Sequence, residues 1–114
     1  MQKHVLAALL FTVIVCGQDT SNNAENGKLI FMRNGCYECH GTVGQGTIAG
    51  ARIGPPRLNE QGVIRYVRRP AGQMPAFTEK VMSDQALRDV YAFLKTIPPP
   101  KPSRDIPLLD DLRK

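Results

Sequence analysis

The sequence predicts an all-α domain, three to four helices wrapped around one covalently attached prosthetic group. Three observations carry that prediction. Apolar residues recur at helical spacing over residues 24–34, 60–69 and 83–97. No strand alternation of the kind found in a βαβ unit accompanies them. Between the first two helical stretches stands Cys36-Tyr37-Glu38-Cys39-His40, a C-x-x-C-H run with the spacing that attaches a c-type haem.

The chemistry of attachment needs those residue types at that spacing. Two thiols must reach two vinyl groups on one side of a porphyrin, and a two-residue spacer lets one turn present both sulfurs. A histidine directly after the second thiol can swing beneath the ring and ligate iron. Rival readings account for less. A structural zinc site wants four ligands, and the chain offers three soft ones crowded together, with no second C-x-x-C or H-x-x-x-H. A thioredoxin-type dithiol belongs beside a βαβ pattern. A simple disulfide in an oxidising compartment would leave His40 unexplained.

The chain has 114 residues, room for one small domain. It opens with a short stretch charged by Lys3, followed by Val5–Val15, an apolar run broken only by Thr12. A bilayer-spanning helix needs about 20 apolar residues, so residues 1–17 read as a secretory signal instead. Val15 and Gly17 would occupy the small-residue positions of the cleavage site, and the mature chain would start near Gln18. Cys16 offers a second reading, a lipid anchor, although Val15 departs from the small residue such signals place before the cysteine. Either way the protein is expected in the periplasm or another extracytoplasmic space. Residues 18–97 would form the haem domain and residues 98–114 a proline-rich tail.

Loss of the signal removes Lys3 and no acidic residue, so the basic excess falls by one from +5. That is too modest for a dedicated nucleic-acid binder, and no aromatic-interleaved basic patch is present. A chain this short buries a limited share of its surface and benefits from a staple. The porphyrin would supply it.

Each element has its local cause. Ser21-Asn22-Asn23 supplies capping chemistry for the first helix. Ala24, Gly27, Ile30, Phe31 and Asn34 then share one face, and Gly35 is a natural stop. Residues 41–54, with five glycines, form a loop; its Gly44-Gln45-Gly46 lacks both the strand and the third glycine of a nucleotide site. Gly54-Pro55-Pro56 makes a stiff corner whose carbonyls are candidates to accept the proton on the second nitrogen of His40. Glu60–Arg69 forms the second helix, with Val63, Ile64 and Val67 inward. Arg65, Arg68 and Arg69 lie opposite, as a solvated face, a docking patch or a counter-charge for propionates. Ser83 caps the third helix, Asp84 sits in its first turn, and Leu87, Val90, Tyr91, Leu94 and Ile97 form its stripe until Pro98 ends it. The segment from Pro98 to Lys114 reads as extended; it is either loose or lies across the domain or a partner through Ile106, Leu108 and Leu109.

Elimination points to the second axial ligand. His4 belongs to the signal, so no second histidine remains. Met32 lies four residues before Cys36 and is poorly placed for the opposite face. Met82 stands at a helix start and reads as packing. Met74, within Pro70-Ala71-Gly72-Gln73-Met74-Pro75-Ala76-Phe77, sits in an irregular loop able to turn a thioether inward.

From about Ala24 to Ile97 the chain resembles the small bacterial class I c-type cytochromes, monohaem and His/Met ligated. Four features agree in order: Gly27-x-x-x-Phe31, Cys36-x-x-Cys39-His40-Gly41, Gly54-Pro55 with Leu58 behind it, and Met74-Pro75-x-Phe77. The resemblance implies the cytochrome c fold, with Gly27 and Phe31 crossing against Val90 and Phe93. It implies one haem c bound through two thioethers at Cys36 and Cys39, with iron held by His40 and Met74 and the Pro55 carbonyl accepting from His40. The doubled Pro55-Pro56 and the proline-rich tail depart from the shortest members of that family.

The function expected is one-electron transfer, an Fe(III)/Fe(II) shuttle between redox partner proteins, a dehydrogenase as donor and an oxidase or another cytochrome as acceptor. No catalytic motif of a fused dehydrogenase, oxidase or peroxidase accompanies the haem signature, so no enzyme activity is expected. A haem c subunit held permanently by a dehydrogenase complex through residues 98–114 is the alternative. A five-coordinate haem that binds a small ligand stands third.

Overall fold

A computed structural model describes residues 22–110 and Leu112. The expected signal at residues 1–17, with Cys16, lies outside them. Five α-helices and no strand occur among the described residues: α1 (Ala24–Arg33), α2 (Cys36–His40), α3 (Glu60–Arg68), α4 (Asp84–Lys95) and α5 (Pro107–Asp110). A 3-10 turn over Ser103–Asp105 precedes α5. No described helix is long and apolar enough to cross a membrane.

Capping starts each of the longer helices where the sequence places it. The Asn23 side chain accepts from the Asn26 N–H at α1, Asn59 accepts from Gly62 at α3, and Ser83 accepts from Ala86 at α4. Gly35, at φ 76°, takes the left-handed conformation that ends α1 and lets the chain turn at once into α2.

The frame is the crossing of α1 over α4. Gly27 makes it possible: a Cβ there would lie 2.8 Å from the Val90 nitrogen and closer still to the Asp89 carbonyl oxygen. With the two backbones that near, Phe31 reaches Phe93, ring centroids 5.5 Å apart and tilted by 59°. Ile30, Phe31, Ile64, Met82, Leu87, Val90, Phe93 and Leu94 are buried together as the core. Met82 therefore packs, as expected. Phe93 takes a core place, whereas Tyr91 stands at the flank under the Lys95 ammonium, 5.7 Å from its ring centroid.

One charged group sits inside this crossing. Asp89, 5% exposed, accepts from the Asn23 N–H at 3.0 Å, the Asn26 amide at 2.7 Å and the Gln85 amide at 3.0 Å. It thus ties α4 to the N-terminus of α1, the end where the helix dipole favours negative charge. Burial alone would raise its carboxyl, but those hydrogen bonds and the charge of Arg88 hold it below the ordinary aspartate range.

The tail differs from the extended expectation. The prolines end with Pro107 at the first position of α5, where its missing N–H costs nothing. Among the described helical elements, α5 packs only on the preceding 3-10 turn and reaches none of α1–α4.

Candidate functional site

Helix α2 is a single turn built by glycines. Gly35 launches it, Gly41, also at φ 76°, ends it, and the Gly41 N–H closes on the Tyr37 carbonyl at 2.8 Å. Cys36 and Cys39, three residues apart, therefore share one side of the turn. Both are free thiols. Cys36 is half-buried against the core and Cys39 is exposed. Burial pushes the Cys36 thiol up, opposed in part by its backbone hydrogen bond.

His40 follows immediately, and one ring nitrogen is already engaged. Its Nδ1 lies 2.7 Å from the Ala51 carbonyl oxygen. A carbonyl can only accept, so Nδ1 carries the proton and Nε2 keeps the lone pair that a metal needs. The acceptor differs from the expected Pro55. The reason is a tight turn, Thr47–Gly50, that brings the chain back onto α2 before it reaches the Gly54-Pro55 corner. Gly54 is used elsewhere: its N–H bonds the Gly44 carbonyl at 2.9 Å, and a Cβ on it would stand 3.2 Å from Ile97 beyond α4. The corner seats the loop on the frame and leaves the histidine to Ala51.

The same turn satisfies the end of α2. The Thr47 hydroxyl donates to the Cys39 carbonyl at 2.6 Å, and the Gly46 N–H donates to the His40 carbonyl at 2.8 Å. Gly50 lies so close that a Cβ would be 2.7 Å from the Cys39 oxygen. Sequence reasoning missed Thr47, Gly46, Gly50 and Ala51, since all act through backbone or a single hydroxyl. The only signal was the density of glycines.

Met74 stands apart, half-buried in the irregular loop between α3 and α4. That loop is pinned where it ends. The Phe77 N–H donates to the Val67 carbonyl at 3.1 Å. Arg68 donates to the Phe77 carbonyl at 2.9 Å and to Asp84 at 2.6 Å. Arg68 is thus withdrawn from the arginine face and joins α3, the Met74 loop and α4, while Arg65 and Arg69 remain exposed. Met32, by contrast, packs on the core from α1.

The donor set suits an iron porphyrin: two thiols on one turn, an imidazole with one nitrogen fixed and the other free, and a thioether on a separate loop. An all-α frame carrying such a turn defines a small c-type cytochrome. A family model described as cytochrome C oxidase, cbb3-type, subunit III matches residues 22–94, and the chain belongs to that family. Neither a curated protein nor a solved structure matched it. A cytochrome c domain carries haem c, transfers electrons and meets redox partners.

Proposed function

We propose that the protein is a one-electron shuttle between redox partners outside the cytoplasm. Cys36 and Cys39 would hold one haem through two thioethers, and His40 and Met74 would take the two axial positions. The observation that carries this reading is the His40 ring, fixed by Ala51 at Nδ1 directly after two thiols on one turn. Haem c, when bound, supplies reversible Fe(III)/Fe(II) chemistry, and a thioether opposite histidine favours the ferrous form. The chain's own residues do the rest. Cys36 and Cys39 would tether the group, His40, held in one tautomer, would ligate its iron, and Met74 as a second ligand would keep dioxygen and peroxide from it. A weak, polar docking surface fits such traffic, with Arg65 and Arg69 as exposed candidates; Arg68 is engaged in the fold.

The test is a visible spectrum of protein matured in cells that attach haem. Colour that stays with the polypeptide through acid-acetone extraction, and a methionine-to-iron charge-transfer band that vanishes in Met74→Ala, are expected. Colour stripped by extraction, or a mass equal to the bare processed chain, would sink the reading. Rapid carbon monoxide binding by the reduced protein would remove Met74 from iron. The mass of the mature N-terminus, near Gln18 or lipidated at Cys16, tests export.

A second reading is favoured by one observation. Among the described residues neither α5 nor the 3-10 turn before it reaches a helix of the domain, and Leu108 is 76% exposed. A haem subunit held permanently by a larger complex, a dehydrogenase or an oxidase of the kind named by the family, would use residues 98–114 as its grip. Truncation at Ile97 should then release the protein from its complex in gel filtration; unchanged co-elution argues against it.

A further inference from the structure

The turn over Thr47–Ala51 has hydrogen bonds out of proportion to its packing. Thr47, Ile48, Ala49 and Ala51 are all exposed, and Ile48 is wholly so. Apolar burial therefore does little to fix where the Ala51 carbonyl points. Polar contacts do it instead, four of them made by the turn itself beside the Gly46 N–H bond to the His40 carbonyl. The Thr47 N–H bonds the Gly50 carbonyl at 2.9 Å, and the Ala49 N–H bonds the Thr47 hydroxyl at 3.0 Å. That hydroxyl donates to Cys39 at 2.6 Å, and Ala51 meets His40 at 2.7 Å. Thr47 is the hub: its side chain closes the turn on itself and fastens the turn to α2 between the second thiol and the histidine.

We propose that Thr47 is a positioning residue for the iron ligand: clamped on the Cys39 carbonyl, its hydroxyl holds the Ala51 carbonyl on His40 Nδ1 and thereby sets how strongly the ring donates through Nε2. This rests on the haem reading above. A carbonyl that accepts from Nδ1 makes the imidazole a better donor. A better donor stabilises the ferric form more than the ferrous one, because the ferric iron carries the greater charge. Loosening the turn weakens that bond, makes the ring a poorer donor and raises the reduction potential. A role confined to capping the Cys39 carbonyl would leave the potential where it is.

The experiment compares full-length, haem-loaded Thr47→Val, Thr47→Ser and Gly50→Ala proteins with the unaltered chain. Two quantities are read: the midpoint potential, and the solvent exchange rate of the His40 Nδ1 proton in the ferrous state. Thr47→Val should raise the potential and speed exchange by about tenfold, the scale of one hydrogen bond. Gly50→Ala, which keeps the hydroxyl but lifts the turn off Cys39, should move both the same way; Thr47→Ser should restore both. Thr47→Val protein that keeps its attached haem with potential and exchange unchanged overturns the proposal. A measurement on the unaltered protein holds even if the variants fail to mature. With nitrogen-15 histidine and carbonyl-carbon-13 alanine, the ring N–H should couple to an alanine carbonyl, and coupling to a labelled proline carbonyl instead overturns it. Absence of any attached haem from the unaltered chain would fail the haem reading itself, a result separable from both.

Discussion

At the crossing of α1 and α4, Phe31 is fully buried against Phe93, and Gly27 lets two backbones touch. Beside α2, no residue from Thr47 to Ala51 is buried, yet Thr47, Ala49, Gly50 and Ala51 all take part in hydrogen bonds, two of which reach Cys39 and His40. The first region is held by apolar contact, which is strong but indifferent to direction. The second is held by hydrogen bonds, individually modest but strict in geometry. A site that must aim one ring nitrogen and two sulfurs needs the second kind. It can afford that only because the first kind keeps the chain folded.

The largest effect should therefore fall on the frame. Phe31→Ala removes a fully buried ring and should cost about 3–5 kcal/mol in urea unfolding. Thr47→Val, at the site, should cost about 1–2 kcal/mol for the two hydrogen bonds its hydroxyl makes. If the two variants lose comparable stability, the division of labour between the regions is wrong.

Asp89 sharpens the comparison, because it is a polar contact placed inside the apolar frame. Its carboxyl is held below the ordinary range when folded, so the unfolded chain takes up the proton first as pH falls. The stability it contributes is full above the ordinary aspartate value, near pH 4, and is lost as pH drops through the lower folded value. Asp89→Asn should be less stable by about 1–3 kcal/mol at pH 7, and its deficit should shrink as the pH falls below the ordinary aspartate range. A deficit that stays constant with pH would mean that the charge contributes nothing beyond shape.

What the sequence shows of each region follows from the same physics. The frame was legible: Asn23 and Ser83 have capping side chains, and Ile30, Phe31, Leu87, Val90 and Leu94 repeat at helical spacing. So was the turn carrying Cys36, Cys39 and His40, since side chains carry that chemistry. Asp89 was not, because a carboxylate beside an apolar stripe looks solvated until its partners, Asn23 and Asn26, are seen on another helix. Ala51 left no trace at all. Its function lies in a carbonyl that every residue has, and its position depends on how the Thr47–Gly50 turn closes. Arg68 looked like part of a charged face, and only the fold shows that its guanidinium meets Phe77 and Asp84. Proline content hid α5, although proline suits the first turn of a helix.

A smaller effect is expected at the Met74 loop, where Arg68 fastens the far end to α3 and α4. On the proposed ligation, Arg68→Ala should let the loop open more often and speed cyanide entry to ferric iron by about tenfold, equivalent to roughly 1.4 kcal/mol. Asp84→Ala separates the two bonds: loss of the ion pair alone should matter less, because both charged groups have water as an alternative partner. An unchanged cyanide rate in Arg68→Ala would assign the pin to the Phe77–Val67 bond by itself.

The smallest effect should come from the most conspicuous side chain on the turn. Ile48 projects fully into solvent at the tip, directly after Thr47. If the turn is held by its backbone and one hydroxyl, that side chain contributes nothing to its placement. Ile48→Asn should then change unfolding by no more than about 0.5 kcal/mol and leave the midpoint potential untouched, while Thr47→Val one position earlier moves it. The two neighbours thus form an internal control, because both are exposed on the same turn and only the Thr47 side chain bonds α2. Loss of about 1 kcal/mol or more in Ile48→Asn would show that apolar contact also holds this turn, and the contrast with the α1–α4 crossing would be one of degree.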